Sequence, residues 1–409
     1  MKIILATAYD INPYKGSESA TGWNFVLQIA RFNNVIAITR TNNKDEIERF
    51  IKEFDIDVSN IEFAYYDLPC YLRFWKKGGR GSSIYFYLWQ MFMPFFIVKK
   101  RLIFDIAHNV NFHADAFPTF LWVFRKPVVW GPINHHEKIP KEYLYPKKDF
   151  LKDRIKWYIK KIFWNLDPFI LISIWKTELI LGGNSSVKKR LNLKSSKFRI
   201  FSQIASNNAN NSKNHKLNEF NIIVAARFIP LKGIDIALYA FDVFYKQLSV
   251  EGKKNVKLSV LGKGPLEQEL KLIKNGLLSK DRIEFIGWIP KDEMDSFYQN
   301  SNIFLFPSHE GAGMVVAEAL SHGLPIICFD NYGPGELVNE HCAIKIPYTK
   351  YDQSITDFSN ALLKIYVDNK LSTQMSKAAR EFFEEKYTWE SKGIVLEKIY
   401  KTIFEKNHK

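Results

Sequence analysis

Short apolar runs of four or five residues alternate with helical patterns along most of this chain, and few folds accept such a sequence. Ile3-Ile4-Leu5-Ala6 reads as a strand, and Ser17 to Phe32 as a helix with Trp23, Val26, Leu27 and Ala30 on its inner face. Val35-Ile36-Ala37-Ile38 returns as the next strand. That is a βαβ unit, whose strands run parallel and are buried on both faces. Further strands are expected at 61–65, 103–107, 128–130 and 169–174, then at 222–225, 257–261, 283–285, 303–306 and 326–329. A polar, Asn-rich stretch at 202–215 separates the two series and reads as a linker. The 409 residues suffice for two cores. The expected domains are therefore 1–202 and 203–389, and both are α/β with parallel sheets.

The segment Pro307-Ser308-His309-Glu310-Gly311-Ala312-Gly313-Met314-Val315-Val316-Ala317-Glu318 follows one of these strands and enters a helix that Gly323 and Pro325 stop. Gly311 and Gly313 let backbone approach a ligand, and the free N–H groups of a helix start favour an anion. In such a unit Glu310 could grip a sugar, residues 311–315 its phosphates, and Glu318 a ribose. A solvated helix with two incidental glutamates fits the spacing too, since Glu is a common helix residue.

Net charge is +15, and residues 1–200 hold 32 Lys and Arg against 18 Asp and Glu. So lopsided a balance points to an anionic partner surface. Between Arg73, Lys76, Lys77, Arg80 and Lys99, Lys100, Arg101 lies the apolar, aromatic run 84–98, with Pro94 inside it. Fifteen residues are too few to span a bilayer, but basic flanks suit a helix lying in an anionic membrane interface. The stretch from Lys147 to Trp164 mixes cations with Trp157, Tyr158, Ile162 and Phe163 in the same way. Packing of these aromatics into a core is the competing reading. No nucleic-acid-binding module is recognisable, so no nucleic acid is expected. Met1 to Ala8 reads as a first strand rather than a signal peptide, and Cys70, Cys328 and Cys342 imply neither disulfides nor a zinc site. A cytoplasmic protein, peripheral on the inner face of the cell membrane, is the expectation.

Several segments together resemble the retaining nucleotide-sugar glycosyltransferases of family 4. Glu310 and Glu318 resemble that family's E-x7-E signature, and Asn221 to Gly233 its strand with an Arg…Lys-Gly pair, here Arg227 and Lys232. Gly262-Lys263-Gly264-Pro265 resembles its G-x-G-P turn, and Phe285-Ile286-Gly287 its F-x-G strand end. Near the amino terminus, Gly16-Ser17-Glu18 and Gly22-Trp23 resemble the G-S-E…G-W loop of one bacterial branch. Where that branch has G-P-[IV]-G-G, this chain has Gly131-Pro132-Ile133-Asn134-His135, without the glycine pair.

The resemblance implies the GT-B fold: two Rossmann-like parallel-sheet domains facing a central cleft, with the last helix (390–409) crossing back to the first. It also implies transfer of one sugar, with retention, from a UDP- or GDP-activated donor to a growing, lipid-linked surface glycan. Arg227 and Lys232 would hold the diphosphate, Glu310 the sugar, and Gly262, Gly264, Pro265, Gly311, Ala312, Gly313, Met314, Val315 and Glu318 the rest of the donor. Gly16 and Ser17 would approach the diphosphate from the first domain. His113 and His135 are the histidines best placed to act near the reacting carbon, with His108 and His136 competing. No cofactor and no metal are expected, because the one D-x-D, Asp55-Ile56-Asp57, lies in a charged connection. An epimerase or hydrolase on the same fold, or a non-catalytic glycan-binding scaffold, are the alternatives. A dehydrogenase is disfavoured by the lack of G-x-G-x-x-G after the first strand. A pyridoxal-dependent phosphorylase would need a lysine motif that does not occur.

Overall fold

The computed structural model describes residues 1–76, 78, 81–111, 113–144, 150–209 and 219–407, apart from the side chains of Ser17, Phe150, Lys152, Asp153, Lys156, Lys291 and Asp292. Lys77, Arg80, Lys147, Lys148 and the linker's second half, 210–215, lie outside the described residues. The chain divides into two compact units. Unit 1 comprises Met1–His135, Tyr158–Gln203 and Trp389–Lys409; unit 2 comprises His136–Trp157 and Ile204–Thr388. Residues 136–157, placed by sequence in the first domain, thus group with the second.

Unit 1 is built on β1 (Ile3–Ala8), β2 (Asn34–Thr39), β3 (Ile61–Tyr65), β4 (Ile106–Asn111), β5 (Val128–Ile133), β6 (Leu179–Gly182) and β7 (Phe198–Ile200). They form one parallel sheet in the order β3-β2-β1-β4-β5-β6-β7. β1 and β5 are apolar and buried almost throughout, as strands covered by helices on both faces must be, and β4 is buried at every position although His108, Asn109 and Asn111 are polar. The last helix, Trp389–Asn407, packs on this unit. Its Glu397 takes Lys2 Nζ at 2.8 Å and Asn33 Nδ2 at 2.9 Å, and Trp389 meets Phe25 edge-on. Buried His108 bridges the Tyr400 hydroxyl, at 2.5 Å, and the Gly131 carbonyl, at 2.6 Å. Both ring nitrogens are thus engaged, and burial lowers that imidazole's pKa to about 4.

Unit 2 is built on β8 (Phe220–Ala225), β9 (Val256–Leu261), β10 (Ile283–Gly287), β11 (Ile303–Phe306), β12 (Ile326–Phe329) and β13 (Ala343–Ile346). Their parallel order is β10-β9-β8-β11-β12-β13. Both sheets are thus Rossmann-like.

Three expectations need correction. Residues 169–174 are not a strand but part of the helix Pro168–Lys176, because Asp167 caps it by accepting the Phe169 N–H at 2.8 Å and Pro168 occupies its first turn. The strand expected at 103–107 lies three residues later, and Ile103 is exposed. The aromatic run 84–98 belongs to the helix Ser82–Lys99, whose Tyr85, Phe86, Trp89, Met93 and Ile97 are buried in the core. Trp89 donates its indole N–H to the Tyr66 carbonyl at 2.9 Å, and Tyr9 packs edge-on against Phe86 and Trp89. Most of this segment's aromatic surface therefore serves the fold.

Candidate functional site

In the second sheet the strand order reverses direction between β8 and β11, and loops leaving the carboxyl ends of such a pair diverge to form a crevice. The loop after β8 carries Arg227, exposed, and Lys232 at the end of the tight turn Pro230–Lys232. The loop after β11 carries Glu310. The two loops are tied together: the His309 N–H donates to the Leu231 carbonyl at 2.9 Å. Gly233 is left-handed (φ 60°), and a Cβ there would fall 2.2 Å from the Pro307 carbonyl oxygen, so only glycine allows this approach.

That stitching sets Lys232 Nζ 2.6 Å from Glu310 Oε2, both side chains 14% exposed. Burial pushes the Glu310 carboxyl above its ordinary pKa, while Lys232 and the Ser308 hydroxyl pull the other way. The second oxygen, Oε1, is buried and accepts no hydrogen bond. A buried acceptor left open costs roughly 1–3 kcal/mol.

Gly262 and Gly264 act on Arg227 through backbone. Cβ atoms there would lie 1.9 Å from the Ala226 carbonyl and 2.5 Å from the Phe228 carbonyl. The Gly262-Lys263-Gly264-Pro265 turn therefore seats the loop that presents Arg227.

The helix after Glu310 is Met314–Ser321, with Gly313 at its N-cap and Ala312, Met314 and Val315 half-buried. The Gly311 N–H is not available to an anion as expected, because it donates to His136 Nδ1 at 3.0 Å. Glu318, one turn into the helix, accepts from the Tyr298 hydroxyl at 3.1 Å through Oε2. Sequence reasoning missed His136 as a support for this loop, and Tyr298. It also missed Asn331, whose Nδ2 donates to the Ser308 carbonyl at 2.9 Å. Gly333 packs so close that a Cβ would fall 1.7 Å from the Glu310 carbonyl oxygen. The turn-rich run Asn331-Tyr332-Gly333-Pro334-Gly335 was the available signal.

In the first sheet the reversal lies between β1 and β4. Gly16 precedes the helix Ser17–Ala30, is exposed, and has open space where a Cβ would be; the Ser17 side chain lies outside the described residues. Glu18 accepts the His113 N–H at 3.0 Å. His113 Nδ1 faces the Pro132 carbonyl at 2.7 Å, so that nitrogen carries the proton, and Nε2 is a buried lone pair with no partner. Burial lowers the pKa of His113 to about 4. His135 does not join it. Its Nδ1 lies 2.9 Å from Asp115, whose carboxylate also takes Arg190 at 2.9 Å, a buried ion cluster backed by Trp164. Asp57 of the D-x-D accepts the Ser59 N–H at 2.9 Å in an exposed connection.

Burial, and to a lesser degree Asp10, raise Glu18 to a pKa of about 7, against the pull of the His113 N–H. An unfolded Glu18 loses its proton near 4.5, so the folded state binds more protons between the two values and loses stability as pH rises through them. Glu18→Gln is therefore expected to stabilise the protein at pH 8 by up to about 3 kcal/mol and to change little at pH 4. Thermal melts of both proteins across that range check this; parallel pH profiles would show that Glu18 is not held protonated.

Residues 206–382 match the family model of the glycosyl transferases group 1. Among curated proteins, the chain is 25% identical over 192 residues to the phosphatidylinositol N-acetylglucosaminyltransferase gpi3 subunit of Schizosaccharomyces pombe, covering 46% of this chain and 39% of that one. It is 24% identical over 193 residues to a GDP-mannose-dependent alpha-(1-6)-phosphatidylinositol monomannoside mannosyltransferase of Mycobacterium tuberculosis, covering 45% and 48%. The chain thus spans less than half the length of these relatives. Among solved structures, Anabaena HepE in complex with UDP superposes with a TM-score of 0.64 at 13% identity, over 98% of this chain and all of that one. The fold is therefore GT-B, and residues 206–382 are similar to the glycosyl transferases group 1.

Proposed function

We propose that the protein is a retaining, metal-independent glycosyltransferase of family 4 that moves one hexose from a UDP- or GDP-sugar to a glycan or glycolipid acceptor of a bacterial surface. The observation that carries this reading is the Lys232–Glu310 pair, set at the strand-order reversal of the segment similar to group 1, with Glu310 Oε1 open. In this reading Arg227 and Lys232 stabilise the diphosphate as its bond to the anomeric carbon breaks. Glu310 Oε1 accepts a hydroxyl of the transferred sugar, and Glu318 a ribose hydroxyl. The acceptor oxygen attacks from the leaving-group side, and its proton passes to the departing phosphate. In this reading the cationic side chains and the start of the helix Met314–Ser321 supply the positive charge.

Thermal shifts with UDP, GDP and their sugar conjugates test it. One base is expected to raise the melting temperature. Glu318→Gln should weaken the bare diphosphate, while Glu310→Gln should spare it and weaken only the sugar conjugate. Absence of any shift across the panel contradicts donor binding, and equal effects of both substitutions contradict the division of labour.

Attachment to an anionic membrane, on the cytoplasmic side, is part of the same proposal. Among the described residues no helix is long and apolar enough to cross a membrane. With the Ser82–Lys99 helix largely committed to the core, the better support is the exposed apolar face of Ile159, Ile162, Phe163 and Leu166 on the helix Phe150–Leu166. Lys160 and Lys161 are exposed beside it. Each cation near an anionic surface contributes on the order of 1 kcal/mol, and the buried apolar face adds a salt-resistant part. The protein is expected to co-sediment with anionic vesicles, less so at high salt, and Ile162→Ser/Phe163→Ser should abolish the salt-resistant fraction. No sedimentation at low salt would overturn the membrane reading.

A further inference from the structure

The first sheet carries a second feature at the carboxyl ends of its strands. Arg40 directly follows β2, and Asp67 lies two residues beyond β3. With Thr41, Cys70, Arg73, Phe74, Lys76 and Tyr85 they line a cavity of about 760 Å³. Ligands of parallel α/β sheets bind at this end of the strands, and the size suits a small organic ligand.

The electrostatics of the cavity are one-sided. Among the described residues that line it, three cations, Arg40, Arg73 and Lys76, face a single carboxylate. That carboxylate is already engaged: Asp67 accepts the Tyr85 hydroxyl at 2.5 Å, and the N–H (3.1 Å) and hydroxyl of Thr41. Arg73 reaches it only at 3.7 Å. Arg40 stacks over the Tyr9 ring at 4.4 Å and has no carboxylate partner among the described residues, and Lys76 lies 5.2 Å from the Tyr85 ring. Burial first, and then the Arg40 charge, hold the Lys76 ammonium below its ordinary pKa, against the pull of Asp67. A site whose cations repel one another gains most from a ligand that brings the missing negative charge.

We infer that this cavity binds a phosphate group carried by the saccharide acceptor. The net charge of the four ionised side chains is +2, and a phosphate monoester carries about −1.5 to −2 at neutral pH, whereas a sugar carboxylate supplies half of that. Two guanidinium groups and an ammonium, one arriving from the end of β2 and two from the segment 70–76, also match a group with three charged oxygens. Phe74, 77% exposed at the rim, offers an apolar face to the attached sugar. The acceptor part of this inference rests on the glycosyltransferase reading above.

Calorimetry with glucose 6-phosphate tests it, using the full chain. Because the proposed donor site also attracts phosphate, titrations are run in an Arg227→Ala/Lys232→Ala background. Glucose 6-phosphate is expected to bind there with millimolar affinity, glucose not at all, and glucuronate several-fold more weakly. Adding Arg40→Gln/Lys76→Gln should cut glucose 6-phosphate affinity at least tenfold, while Lys76→Arg retains it and the melting temperature confirms folding. On the wild-type background the Arg40→Gln/Lys76→Gln protein should still bind UDP or GDP as the parent does. Binding that survives Arg40→Gln/Lys76→Gln, or that vanishes with Arg227 and Lys232 alone, overturns the site. Inorganic phosphate binding as tightly as glucose 6-phosphate overturns an acceptor role in favour of a simple anion site. If glucose 6-phosphate binds but no nucleotide does, the transferase reading fails and the phosphate site stands.

Discussion

Lys232→Ala is expected to lower turnover about 10²-fold or more, the scale of losing one preorganised charge donor to a developing anion. It should also cost stability, because Glu310 is left buried without its counter-charge, and breaking such a pair costs roughly 3–5 kcal/mol unless the carboxyl protonates. Burial already raises that carboxyl's pKa, and loss of Lys232 removes the strongest opposing influence. The two effects separate in Lys232→Ala/Glu310→Gln. A neutral amide needs no counter-ion, so stability should largely return while turnover does not. Arg227 is exposed, so Arg227→Ala should show the turnover loss alone. Turnover with the matched donor, alongside melting curves, checks all three variants. EDTA is expected to leave wild-type activity intact. If Lys232→Ala keeps its turnover once folded, or chelation abolishes activity and manganese restores it, the leaving group is stabilised by something other than these cations.

Gly262→Ala should be a strongly damaging small substitution in the second unit. Its φ of 134° is a conformation that side-chain-bearing residues avoid, and the new Cβ would overlap the Ala226 carbonyl at 1.9 Å. Strain of roughly 1–3 kcal/mol from the backbone and a similar cost from overpacking are both expected. At about 2–4 °C per kcal/mol, that is a fall in melting temperature of many degrees. Because the overlap is with the loop presenting Arg227, turnover should fall even well below the melting temperature. Gly16→Ala is the control: with nothing within reach of its Cβ, it should melt like the wild type. Indistinguishable melts for Gly262→Ala and Gly16→Ala would mean that the 226–228 loop relaxes freely and does not fix Arg227.

Both sheets were legible because their signal is local. A buried parallel strand is a short apolar run wherever it occurs, and Ile303–Phe306 and Ile326–Phe329 have the very bounds that their runs suggest. The same signal failed at 169–174, where an apolar run follows Asp167-Pro168 and the cap made a helix of it. β6, β7 and β13 went unread because each is only three or four residues long, and Arg199 and Lys345 interrupt the last two. The aromatic run 84–98 misled for a related reason. Composition reports that aromatics are present but not which neighbours cover them.

By itself, the sequence determined the α/β class, the two-sheet organisation, the loops on which Arg227, Lys232 and Glu310 sit, and the helix that carries Glu318. All of these follow from periodicity and turn chemistry over stretches of a dozen residues. Tertiary structure decided which of those groups meet. It paired Lys232 with Glu310, left Glu310 Oε1 open, and gave the Gly311 N–H to His136. It also drew His135 into an ion cluster with Asp115 while leaving His113 a free ring nitrogen. These outcomes depend on distances and burial between residues far apart in the chain, and no local pattern encodes a distance of that kind.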